Sequence, residues 1–297
     1  MNKIIRKLLP KKVLSMLQKW KKNIRKKELL NDKKNGNVIT EDILINELKA
    51  IGIKSGDTIL VHSSMSKIGY LENGSKTFVN ALIKLIGTDG NILMPSSPNE
   101  ELQLNYIRKK IPFDVKNTTS KLGAITEEFR KLPEVIRSLN PLEPVCAWGK
   151  DAVYLTEGHL NEITPYTRNS PFRRIIEKNG KILYIGVTLD NAGTSLHTLE
   201  DEVDFKFEVY YSEMFETDLI NYNGNTIRVK TKVHNPVYSA LRKCDQLIPM
   251  FINEKVCEKK TLGKSECLIF DAKKMLESML KNYHEKGITM YTPTGKE

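Results

Sequence analysis

The chain has 297 residues, of which 40% are hydrophobic, enough for one large domain or two modest ones. No run of eighteen apolar residues occurs, which argues against a transmembrane helix. The net charge of +11 sits in residues 1–36, with thirteen Lys/Arg against two Asp/Glu, while residues 37–297 balance at 34 of each and give the body no excess charge for nucleic acid.

Residues 1–36 read as an arm set apart from the rest. After Pro10, Val13, Leu17, Trp20 and Ile24 recur at offsets of 4, 3 and 4, with Leu14 beside them. Lys11, Lys12, Lys19, Lys21, Lys22 and Arg25 fill much of the remaining surface. This predicts a basic amphipathic helix. Such a helix suits an anionic membrane surface, and the same pattern also serves a partner-binding helix or a solubilising tail. A nucleic-acid role is weaker, because Trp20 alone is available for stacking. The arm has neither the continuous apolar core nor the small-residue cleavage site of a secretory signal.

Residues 37–297 read as one α/β domain. Thr40 caps a helix that Gly52 ends. Thr58 to His62 is a strand, and Ser63, Ser64, Met65 and Ser66 follow it in a hydroxyl-rich loop. A helix from Ser75 to Ile86 and a strand from Asn91 to Pro95 complete a parallel βαβ unit. Ligands in such sheets sit beyond the C-terminal strand ends, which marks His62 to Ser66 as a binding segment. Ser96 to Val115 reads as a long loop, Ser120 to Phe129 as a helix and Val145 to Gly149 as a short strand. Ser170-Pro171 opens another helix. The expected fold is thus a central mixed sheet with a parallel first half and an antiparallel insertion.

Lys181 to Val187 is a buried-strand pattern that runs into Gly193-Thr194-Ser195-Leu196-His197-Thr198-Leu199-Glu200. Thr194 or Ser195 is expected to cap a helix there, with His197 and Glu200 on one face. Imidazole beside carboxylate is the pairing of a general base with its orienting partner. Past this point, Phe205 to Tyr211 and Thr226 to Val233 read as strands with a turn at Asn221 to Asn225. Ala240 to Asn253 reads as helix, Ser265 to Phe270 as strand, and Ala272 to Tyr283 as a final helix. His234, in Val233-His234-Asn235-Pro236, reads as a turn residue rather than a second base. Asp201, Glu202 and Asp204 fit either a solvated acidic face or a surface that attracts a cation. The four cysteines, Cys146, Cys244, Cys257 and Cys267, form no Cys-x-x-Cys pair and read as reduced core residues of a cytoplasmic protein.

Several of these segments together resemble the aminoglycoside 3-N-acetyltransferase family. They are Gly56-Asp57-Thr58-Ile59-Leu60-Val61-His62-Ser63-Ser64, Gly87-Thr88-Asp89-Gly90-Asn91-Ile92-Leu93-Met94-Pro95, Phe113-Asp114, Ser120-Lys121-Leu122-Gly123, Arg137-Ser138, Ser170-Pro171 and the Thr194–Glu200 turn. The resemblance covers about Thr40 to His284 and loosens after Asp204. It implies an acetyl-CoA-dependent N-acetyltransferase with no metal and no covalent enzyme intermediate. By the same resemblance Ser63, Ser64, Met65 and Ser66 contact coenzyme A, helped by Ser120, Arg137 and Ser138; His62, at the strand end, reads either as a further cofactor-binding residue or as a buried histidine bonded to backbone. His197 is then the catalytic base, Glu200 its neighbour, and Thr194 a helper at the thioester carbonyl. The family usually carries His and Ser where this chain has Asn140 and Pro144. Those departures and the basic arm lead to an expected acceptor on an amino sugar of surface-polysaccharide synthesis, at the cytoplasmic face of a membrane. An aminoglycoside acceptor is the alternative with the same chemistry, and a non-catalytic relative that binds CoA or a membrane partner is a third reading. The oligomeric state is left open, a homodimer included.

Overall fold

The computed structural model describes residues 11–99 and 102–295. The centre is a seven-stranded sheet. Across it the strands run Cys257–Leu262, Ser265–Asp271, Lys181–Ile185, Thr58–Ser63, Asn91–Pro95, Val145–Gly149 and Ile136–Arg137. Thr58–Ser63 pairs in parallel with Lys181–Ile185 on one side and with Asn91–Pro95 on the other. The outer pairings in this sheet are antiparallel.

The side-chain period of two explains why the three central strands read as continuous apolar runs. Ile59, Val61, Ile92, Met94, Leu183 and Ile185 join one core layer, packed against Leu44, Leu48, Phe78 and Leu82. The alternate residues Leu60, Leu93, Ile182 and Tyr184 join the opposite layer, with Phe172, Phe270, Met275 and Met279. Both faces are covered, so both are mainly apolar.

Helix Glu41–Ala50 begins where expected, with Thr40 Oγ1 accepting from the Ile43 N–H. Several elements differ from the sequence reading. The 96–115 segment holds a short helix, Gln103–Ile107, and a strand, Phe113–Asp114. That strand pairs in parallel with Phe215–Ile220, which forms the antiparallel hairpin with Thr226–Thr231. Phe205 to Tyr211 is not a strand apart from a single bridge between Tyr210 and His234. Its aromatics stack on other aromatics instead, Phe207 on Tyr238 and Phe205 near Tyr283 and Tyr291. Residues 240–253 are not continuously helical: a 3-10 turn at Cys244–Leu247 precedes helix Ile248–Asn253. Edge strand Cys257–Leu262 escaped notice because its central residues are exposed and charged, as edge strands usually are. None of the four cysteines is in a disulfide, and all four are buried.

Residues 11–34 form a 24-residue helix, Lys11–Lys34. Its last turn meets the body through an Asp32–Lys264 ion pair and through Lys33 over the Tyr70 ring. The part of the arm before Lys11 lies outside the described residues.

Candidate active site

Three parallel strand ends converge at Ser63, Pro95 and Ile185, and the chain leaves the central strand toward one neighbour and returns to it on the other side. That is the switch point at which an open α/β sheet forms a crevice. A cavity of about 390 Å³ lies there, lined by His62 and Ser63, by Pro95, Ser97 and Asn99, by Lys121 and Leu122, and by Val187, Asn191 and Thr194. A second cavity, of about 510 Å³, is lined by His197, His234, Tyr166, Gln103, Asp190 and Arg242. The two share Glu143, Asn191, Ala192 and Thr194 as a common wall.

The chain reaches this wall through a sequence-encoded bend. Gly186 follows the strand with φ +64, and a Cβ there would lie 2.9 Å from Lys67 Cβ. One helical turn, Leu189–Ala192, leads to Gly193, and a 3-10 helix then runs from Thr194 to Asp201. The expected Thr194 or Ser195 cap is absent: Gly193 holds the cap position, and no side chain caps the helix. The preceding turn delivers the backbone already coiled, with the Gly193 N–H on Leu189 O. The 3-10 form matters for the chemistry, because at three residues per turn positions i and i+3 eclipse. His197 and Glu200 therefore stand directly one above the other. Leu196 and Leu199, both fully buried, pin the turn to the core, each contributing about 1.5–3 kcal/mol.

Glu200 is the electrostatic centre. Its side chain is 0% exposed, with Oε2 2.7 Å from His234 Nε2 and 3.1 Å from His197 Nδ1. Tyr291 donates to Oε1 at 2.6 Å, Tyr210 to Oε2 at 3.3 Å, and Arg242 lies 3.7 Å from Oε1. Burial opposes its charge, but the two imidazoles hold its carboxyl well below the usual range. The His197 contact is close without hydrogen-bond alignment, since Nδ1 makes no directed bond. His197 thus shows Nδ1 to the carboxylate and leaves Nε2 on the side of the cavity it lines. Burial lowers its pKa and Glu200 works against that, so the ring is neutral at neutral pH. Tyr166 at 4.9 Å and His234 at 4.5 Å between ring centroids fix the imidazole plane.

His62 ends the central strand, stacked on Tyr184 at 4.7 Å, with Nε2 3.4 Å from Thr194 Oγ1. Burial draws its pKa down to about 3, so it is a neutral partner of that hydroxyl. Ser63 lines the smaller cavity. Ser64 precedes the one-turn helix Met65–Ile68, and Met65 packs on the core. Ser66 faces a different cavity, beneath the arm beside Asp32.

Arg137 does not line either cavity. It is buried over the Phe113 ring and donates to the carbonyls of Ser96 and Thr118, which ties three loops together. Ser138 bonds His159 Nδ1 at 2.8 Å and accepts from the Val145 N–H. The Ser120 N–H donates to Glu127, and its hydroxyl accepts from Leu122. These three residues support the cavity walls rather than lining them. Asn140 accepts from the Leu142 and Glu143 N–H groups at 3.0 Å each and so sets the turn that presents Glu143 to both cavities.

The sequence reading of His234 as a turn residue is incomplete. It does precede the Asn235 cap of a short helix, but its ring is buried on Glu200. Tyr166, Arg242 and Tyr291 were also missed. They come from segments 34 or more residues from Glu200, and no local spacing connects them to it.

Residues 60–283 match the family model for aminoglycoside 3-N-acetyltransferase. The chain belongs to that family. It is 32% identical over 183 residues to a prophage-derived aminoglycoside N(3')-acetyltransferase-like protein of Bacillus subtilis (strain 168), covering 56% of this chain and 66% of that one. The match thus spans just under two thirds of that relative, and likewise of acetyltransferases from Micromonospora chalcea and Streptomyces paromomycinus. The fold superposes on the structure of aminoglycoside acetyltransferase AAC-VIa bound to sisomicin with a TM-score of 0.68 and 26% identity, over 81% of this chain and 95% of that one. It also superposes on AAC-IIIb in binary complex with coenzyme A, with a TM-score of 0.69 and 23% identity, over 81% and 94%. The expected mixed α/β architecture is therefore the family's fold.

Proposed function

We propose that residues 37–297 form an acetyltransferase domain that moves the acetyl group of acetyl-CoA to an amine of an aminoglycoside-type acceptor. The observation that carries this reading is the shared wall: Thr194 belongs to both cavities, and His197 opens into the larger one. The smaller cavity at the strand ends suits the acyl donor, with Ser63, Asn99 and Lys121 available to its polar groups. The larger cavity suits an amine acceptor: the Asp190 carboxylate faces it, Glu143 is partly ionised near neutral pH, and the Arg242 charge on its wall lies against Glu200.

In this mechanism His197 Nε2 takes the proton of the amine as its nitrogen attacks the thioester carbon. Glu200 holds the ring and stabilises the imidazolium that forms. The C–S bond then breaks, and the thiolate of coenzyme A recovers a proton from the imidazolium. Thr194 Oγ1 donates to the developing oxyanion in this reading, which its position on the shared wall supports. In the tautomer with its proton on Nε2, His62 donates to Thr194 and leaves the threonine O–H for that oxygen.

The relatives are named for aminoglycosides, and nothing in the two cavities favours a polysaccharide-linked sugar over them. A thiol-release assay with acetyl-CoA tests the assignment, using a panel of aminoglycosides and nucleotide-linked amino sugars. Turnover with an aminoglycoside is expected. Turnover confined to the nucleotide-linked sugars would replace the acceptor, and silence across both classes would defeat the enzymatic reading.

A further inference from the structure

The arm helix carries a surface that the acetyltransferase site does not use. Val13, Met16, Trp20 and Ile24 are 37%, 64%, 59% and 37% exposed. On a helix they fall with Leu17 within one stripe about 100° wide. Residues 11–27 hold eight Lys/Arg and no Asp or Glu, so positive charge surrounds this stripe. At 1.5 Å per residue the 24-residue helix is about 36 Å long. The body meets its C-terminal part, through Asp32, Lys33 and the cavity beside Arg25 and Glu28.

We infer that this stripe docks the protein on an anionic lipid surface. Charge complementarity selects the occupant. An apolar stripe for a protein partner, or for a second copy of this chain, does not need unbroken positive charge around it. Two identical helices with this charge would also repel each other at close approach. An anionic bilayer satisfies both features together: Trp20 and the aliphatic side chains enter the interface while the lysines meet headgroups. The helix ends on the loop that follows the central strand, so docking holds the body against the surface without a membrane-spanning segment. Among the described residues no helix is long and apolar enough to span a membrane.

Sedimentation of the full chain with lipid vesicles tests this, with phosphatidylcholine alone compared with phosphatidylcholine mixed with phosphatidylglycerol. Binding is expected only to the anionic vesicles, and added salt should weaken it. Reversing Lys19, Lys21, Lys22 and Arg25 to Glu should lower partitioning roughly ten-fold or more. Trp20→Glu should abolish it while acetyl transfer in solution stays unchanged. In a Trp148→Phe background, Trp20 emission should shift to the blue on anionic vesicles. Equal binding to both vesicle types, or to neither, would overturn the inference. So would a dimer that Trp20→Glu dissolves in the absence of lipid, or retention by nucleic acid instead of vesicles. Since acetyl transfer is read separately, an inactive protein that still binds vesicles would fail the acetyltransferase assignment alone.

Discussion

At the scale of single residues, one carboxylate organises the site. Glu200 receives two imidazoles and two phenols in a fully enclosed position, with a guanidinium nearby. Glu200→Gln keeps the shape and removes the charge. Because the amide cannot satisfy the Tyr291, Tyr210 and His234 groups and the Arg242 charge that the buried carboxylate now meets, unfolding free energy should drop by about 3 kcal/mol, read from urea titration. The same variant should shift the pH profile in a defined direction. The acid limb of kcat/KM follows His197 protonation and lies on the acid side of an ordinary imidazole, because burial lowers that pKa. Glu200 raises it, so the Gln variant should move the limb to lower pH while the plateau falls. A limb that moves upward would contradict the pairing. The His197 and Glu200 pair was legible in the sequence because its spacing is local. His234, Tyr166 and Tyr291 were not, since the fold alone brings them to Glu200. A buried polar constellation gathered from distant segments has no periodicity to read.

At the scale of elements, the strand-to-turn junction converts the fold into a site. The parallel strands were readable as short apolar runs bounded by glycine and proline, and the βαβ unit followed from them. The 3-10 form of Thr194–Asp201 was not readable, because hydroxyl residues there mimic an α-helix cap. The mistaken Phe205–Tyr211 strand has a related cause: aromatic and β-branched composition fits both a pleated surface and an irregular aromatic cluster. Gly193 is the critical joint. A Cβ there would lie 2.5 Å from Leu189 O and 3.1 Å from Leu196 Cδ1, so the turn must shift. Gly193→Ala should lower kcat/KM by about 10²-fold through displacement of Thr194 and His197, with a far smaller loss of stability. Unchanged kcat/KM in that variant would show that the turn tolerates movement.

At the scale of the whole molecule, buried histidines make folding sensitive to acid. Burial holds His62, His159 and His234 at about 3, against 6.5 for a free imidazole. Between those values the unfolded chain binds protons that the folded chain excludes. Stability is therefore fully present above pH 6.5 and is lost as pH falls, at about 1.4 kcal/mol per pH unit for each group. Glu143 and Asp201 act in the opposite sense. Burial raises both to about 7, so the folded chain binds their protons first. Their offset operates from about pH 7 down to ordinary carboxyl values and ends below pH 4. Urea midpoints should fall gently from pH 6.5 to 5 and steeply below 4.5. A flat profile to pH 4 would mean that these imidazoles are not held neutral.

The central claim is that His197 accepts the proton of the incoming amine. Its most direct test is kcat for acetyl transfer to an active aminoglycoside in His197→Ala, with acceptor affinity measured separately by calorimetry. A fall of about 10²–10⁴-fold in kcat with near-native acceptor binding is the predicted result. A loss of only a few-fold, with binding intact, would contradict it.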